Sequence, residues 1–311
     1  MLSDVFARLA PVLLLLALGQ WMQRRRFVTE TSVEQLKKIV VNLTLPAVLF
    51  HTFLEMELQP AYLAIFALVF LLCVALLALG RLLQPQLGKG HPYFPFLLTG
   101  FEYGMLGVGL FGTAYGLEQL GYIAVIDLGH ELFIWFVFLG FLLVQRDGIR
   151  EPRRLLRAFA TAPVILGILS GLAFNALGLR SWLSDFFLSA ALLATLERLG
   201  SVTGPLILLI IGYGIALDRR GIREAWPIVA VRLGLLIPLA LLLNTFVLDR
   251  RLGLAQPFQS ALFTLLVLPP PFILPLYMPD LPEERRYVNN VLTVHTVASI
   301  AVFTLYSALT A

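Results

Sequence analysis

A single cysteine, Cys73, leaves no partner for a disulfide and no second thiol for a metal cluster. Charge is scarce as well: 14% of the 311 residues are Asp, Glu, Lys or Arg, against roughly 25% in a soluble domain. Long polar stretches are missing, so no flexible linker or boundary between soluble domains can be drawn. The first apolar run is followed, not preceded, by Arg24, Arg25 and Arg26. That reverses the charge order of a signal peptide, and the run is expected to stay as a span.

What is present is apolar. Hydrophobic residues make up 59% of the chain, and the mean hydropathy is +0.87. Runs of about 20 apolar residues recur from end to end, each long enough to cross a hydrocarbon core as a helix. Ten segments are read as spans: 5–23, 33–54, 61–82, 94–117, 121–144, 158–178, 196–217, 225–247, 257–278 and 288–309. They are numbered one to ten below. An all-α polytopic membrane protein is expected. The stretch 181–200, interrupted by Asp185, Glu197 and Arg198, is read as an interfacial connector and the start of segment seven.

Net charge of +4 and a pI near 9.4 do not point to nucleic acid, because membrane loops carry excess Lys and Arg for topological reasons. With both termini outside, most Lys and Arg fall in the inner loops, including Arg24 to Arg26, Arg146, Arg153, Arg154, Arg157, Arg219 and Arg220. Arg232 lies inside segment eight. The expected location is the plasma or inner membrane.

The two halves, 1–150 and 151–311, show ordered matches: Ala10-Pro11 with Ala162-Pro163, and Thr44-Leu45-Pro46 with Thr203-Gly204-Pro205. Further on, Thr99 matches Thr264, Tyr122 matches Tyr287 and His130 matches His295, all at one constant separation. Five spans per half is an odd number, so the second half is expected to enter the membrane inverted. The same separation lays the glycine cluster of segment four (Gly104, Gly107, Gly109) over Pro269, Pro270 and Pro271 of segment nine. Glycine and proline both weaken helices. Two broken helices at matched places predict a midplane binding site.

Glu102 and Tyr103 on segment four, and Asp127, His130 and Glu131 on segment five, lie within apolar sequence. A charge there costs at least ~2.5 kcal/mol at the helix centre, so it needs a reason. Asp127, His130 and Glu131 fall at i, i+3 and i+4 and share one helix face. His295 is expected to approach from segment ten. Neighbouring buried carboxylates hold protons more readily, so the cluster is expected to bind and release a proton. Asn42, Thr44, Pro46, Thr203 and Pro205 are read as kink and packing residues, His51 and His91 as interfacial, and Tyr277 and Asn289 as edging the inner mouth.

Three motif-like strings are set aside. Gly107-Val108-Gly109-Leu110-Phe111-Gly112 has no preceding strand and so is no nucleotide loop. His130-Glu131 opens a zincin-like string, but Ile134 holds the second histidine position; no zinc site and no cofactor are expected. Gly167 to Gly171 around Ser170 lacks an obvious histidine base, so no enzyme is expected.

Leu43 to Phe50 after an amphipathic basic start, the glycine-rich segment four, and Leu268-Pro269-Pro270-Pro271 before the last span together resemble the auxin efflux carrier family. The resemblance implies ten helices with crossing, broken helices four and nine, as in sodium/proton-antiporter-like and bile-acid-symporter-like folds. It implies a scaffold of helices 1, 2, 6 and 7 and a mobile unit of helices 3–5 and 8–10, often in homodimers. It also implies elevator-like movement of small organic anions, coupled to H+ or Na+. Glu102 stands where the family commonly has Asn, Gly109 where it has Pro, and His130 where it has Asn. Those exchanges add titratable groups and leave a neutral or cationic solute as the alternative.

Overall fold

The structure is a computed structural model that describes residues 2–56, 59–88, 91–147, 152–179, 183, 187–215, 219–279 and 281–310. Among them every regular element is a helix. Seven helices are long and apolar enough to cross a membrane: Glu30–Glu55, Ala61–Leu83, Phe94–Tyr115, Leu117–Gln145, Phe187–Gly214, Arg219–Asp249 and Pro282–Thr310. Leu63, Phe187 and Leu309 are at least 74% exposed, a surface that suits hydrocarbon and not water. The chain is thus a multi-pass, all-α membrane protein. The remaining apolar segments carry the helices Leu2–Arg24, Pro163–Ala176 and Gln256–Val267. Part of the 181–200 stretch lies outside the described residues, but Phe187–Ser201 is helical and leads into Thr203–Gly214.

Local sequence explains the helix boundaries. Thr29 caps Glu30–Ile39, its Oγ1 accepting the Ser32 amide at 3.1 Å. Pro46, Pro95, Pro163, Pro257 and Pro275 sit in first turns, where a missing N–H costs nothing. Where Pro46 interrupts an otherwise continuous run, the turn before it, Val40–Thr44, widens to a π-helix, as expected of a kink residue.

The chain forms two compact units, each drawing on both halves of the sequence. The first comprises 1–59, 104–124 and 157–214, and its helices touch backbone to backbone at glycines. A Cβ on Gly212 would run into the Leu16 carbonyl oxygen, and one on Gly167 would lie 2.6 Å from that of Pro46. Asn175 Nδ2 donates to the carbonyls of Phe53 at 2.8 Å and Met56 at 2.5 Å, closing the end of Leu45–Glu55. The second unit comprises 60–103, 125–156 and 215–311. Its interior mixes aromatic contacts, such as Phe96 edge-on to Phe138, with buried Asp127, His130, Arg232 and His295.

Candidate functional site

Segment four is interrupted, but not where its glycines cluster. The helix Phe94–Leu98 ends at Thr99 in extended backbone, and helical structure resumes at Tyr103. Of the glycines, only Gly100 lies in the gap. Its φ is +70°, which glycine tolerates and other residues rarely do. Gly104 and Gly107 fall in the π-helix Tyr103–Gly107. Gly109 lies in the helix Val108–Tyr115, where its added Cβ would meet Ile207 at 2.8 Å, so it serves close packing. The break thus lies a few residues before the glycine cluster: Gly109 stays helical against Ile207, whereas Gly104, with nothing within 4 Å of an added Cβ, stays in the helical run without such cover.

Segment nine breaks where its prolines stand. The helix Gln256–Val267 ends at Leu268, which precedes a proline and is extended (φ −64°, ψ 152°), and a short turn follows at Leu274–Tyr277. Pro269, Pro270 and Pro271 have no amide to continue the ladder.

The two interruptions meet inside the second unit. A Cβ on Gly100 would stand 2.7 Å from Pro271 Cγ. The Glu102 amide donates to the Pro269 carbonyl at 2.9 Å, and Glu102 Oε2 accepts the Phe272 amide at 2.7 Å. A carboxylate from one break thus satisfies a backbone donor freed by the other.

His130 anchors the first break from segment five. Its Nε2 accepts the Phe101 amide at 2.8 Å, so that nitrogen carries no proton and the ring is neutral. Nδ1 is therefore the protonated nitrogen, donating to Asp127 Oδ1 at 2.8 Å. Glu131 turns to Trp135, whose Nε1 donates to Oε2 at 2.9 Å. Ligand-type atoms of Asp127, His130 and Glu131 lie within 4.8 Å of one another, consistent with a shared face. An ion there would have to displace a hydrogen bond from His130, whose two nitrogens are both engaged.

His295 braces the second break. Ser299 Oγ donates its one proton to the Val267 carbonyl at 2.6 Å, so His295 Nδ1 must donate to that oxygen, 2.9 Å away. Its Nε2 is then a bare lone pair, fully buried and without a protein partner. The Tyr103 hydroxyl is likewise buried and without one. Arg232 Nε is a third such atom at the breaks, and buried polar atoms are normally satisfied.

Thr99 Oγ1 donates to the Cys73 carbonyl at 2.9 Å, tying the first break to segment three. Arg232, fully buried on Arg219–Leu243, was passed over in the sequence. Its Nη1 donates to Leu97 O at 2.9 Å, and its Nη2 to Gly100 O and to Leu268 O at 3.3 Å. The signal was present: a lone arginine amid apolar residues carries the same expectation of function as Glu102 or Asp127. Ser299 and the Phe272 amide had no comparable signal.

Glu102, Pro269, Pro271, Asp127, His130 and His295 are thus gathered around the two interruptions, with Pro270 between its neighbours and Glu131 one turn aside. Gly104, Gly107 and Gly109 belong to the other compact unit. In comparison with known proteins, the chain matches no family model, and no curated protein is significantly similar to it.

Proposed function

We propose that the chain is a secondary active transporter of a small organic solute, an organic anion in the first instance, bound where the interruptions of segments four and nine meet. The reading takes the chain as an auxin-efflux-carrier-like permease of ten helices in two inverted repeats. The solute is carried by an elevator step coupled to protons or sodium, and the protein works as a homodimer. The observation that carries it is the reciprocal bonding of the breaks: Glu102 amide to Pro269 carbonyl, and Glu102 carboxylate to Phe272 amide. Unwound backbone deep in a membrane persists where protein or a polar cavity covers it, and carriers use such places to bind solutes.

Glu102 also favours a second reading. Its carboxylate already holds the Phe272 donor that an incoming anion would seek, and an unprotonated carboxylate would repel one. A neutral or cationic solute fits that arrangement, as does an anion that enters with a proton.

Reconstitution into liposomes tests both. Screening organic acids, amino acids and organic cations for solute-driven proton flux should yield a substrate in one class. Glu102→Gln and Glu131→Gln should each uncouple flux from protons. Full coupling in both variants would remove the role given to these carboxylates. Solute binding without counterflow would make the chain a sensor and not a carrier.

A further inference from the structure

Among the described residues the hydrogen bonds of the buried Arg232 guanidinium run from its two terminal nitrogens to backbone carbonyls, those of Leu97, Gly100 and Leu268. Leu97 and Gly100 lie at the end of the helix Phe94–Leu98, and Leu268 caps Gln256–Val267. The Phe101 ring covers the group, with its centroid 5.0 Å from Cζ. Carbonyl oxygens converging from the ends of two interrupted helices form the type of donor set that holds an alkali cation in membrane carriers. Here a cation is already in place, tethered to segment eight. A guanidinium presents its donors in a flat, fixed fork and can address carbonyls from two elements at once.

We propose that Arg232 is a resident cation of the two breaks: its guanidinium takes the position among the Leu97, Gly100 and Leu268 carbonyls that a sodium or potassium ion would otherwise fill. The breaks then keep their geometry with no alkali ion bound. If the carrier reading holds, the coupling ion at this place is not sodium. The inference itself concerns ion binding and stability, so its outcome is independent of whether transport is found.

The test is thermal unfolding of the purified full-length protein in detergent, in matched sodium, potassium and choline chloride. Wild-type protein should melt at the same temperature in all three. Arg232→Ala should melt roughly 10 °C lower in choline, the scale expected when a buried charged network is lost. It should regain part of that loss in sodium or potassium, or with dilute guanidinium, whereas a residue that merely fills space would gain nothing from an ion. Arg232→Lys, which keeps the charge but not the fork, should fall between the two. A wild-type melting temperature that rises selectively in sodium would overturn the proposal. So would an Arg232→Ala protein that is indifferent to every cation. If the alanine variant fails to fold, Arg232→Gln takes its place: recovery of its melting temperature in sodium, potassium or guanidinium supports the proposal, and indifference to all three overturns it.

Discussion

The two compact units share backbone contacts at glycines and differ in what else they bury. In the first, Gly212 faces the Leu16 carbonyl, Gly167 that of Pro46 and Gly171 that of Phe50, and in the second Gly129 faces that of Phe66. In the second, side chains with ionisable groups are sealed inside, and hydrogen bonds to backbone hold interrupted helices in place. Close backbone packing gains dispersion energy and leaves no room for adjustment. A buried polar network is stable only while every member stays satisfied, and it responds to protons and ions. The second unit therefore adds, to close contacts found in both, a buried part that answers to protons and ions.

Substitutions can break that contrast in order of expected effect. Gly212→Leu drives a side chain into the Leu16 backbone, where no rotamer can yield, and should cost about 3 kcal/mol or more in thermal unfolding. If that variant melts like wild type, the first unit is not held by glycine contacts. Asp127→Ala leaves the His130 Nδ1 proton without an acceptor and should cost about 1–3 kcal/mol, with Asp127→Asn milder because it keeps one. Equal melting of the two would mean that the Asp127–His130 bond contributes nothing.

Gly234, on Arg219–Leu243 in the second unit, has nothing within 4 Å of an added Cβ. Gly234→Ala should therefore raise stability by about 1 kcal/mol, and a loss would show that the open space at this glycine is needed.

The smallest effect concerns His91, outside the spans, whose Nε2 lies 2.6 Å from Glu284 Oε2. Burial lowers the affinity of His91 for a proton below its ordinary value of 6.5, and the attraction of Glu284 offsets this only in part. The unfolded chain then takes up the proton first as pH falls. Stability should decline as pH drops below 6.5 and level off once the folded protein is protonated too. His91→Gln should flatten that dependence in melting curves between neutral and mildly acidic pH. An unchanged slope would assign it to other groups.

Much of this was legible in the sequence because membranes impose severe rules. Apolar length set the segments, and the Pro269 to Pro271 run set the second interruption to the residue, since three missing amides leave the backbone no helical option. Asp127 and His130 could be paired from their spacing on one helix. The first interruption was located only approximately. Whether Gly100 or Gly109 leaves the helix depends on what each touches, Pro271 in one case and Ile207 in the other, and neither neighbour is near in sequence. Arg232 was hidden for a related reason. Its partners are carbonyls, which every residue has, and nothing in the identity of Leu97 or Leu268 announces that its oxygen will be used.

The Phe101 amide acts as a lock that only one form of an imidazole can fit. It donates to a nitrogen of His130, which must be bare to receive it. A second proton on that ring would set two donors head to head. Charging His130 would thus remove one hydrogen bond from the segment-four break and leave Glu102, Arg232 and Thr99 to hold it.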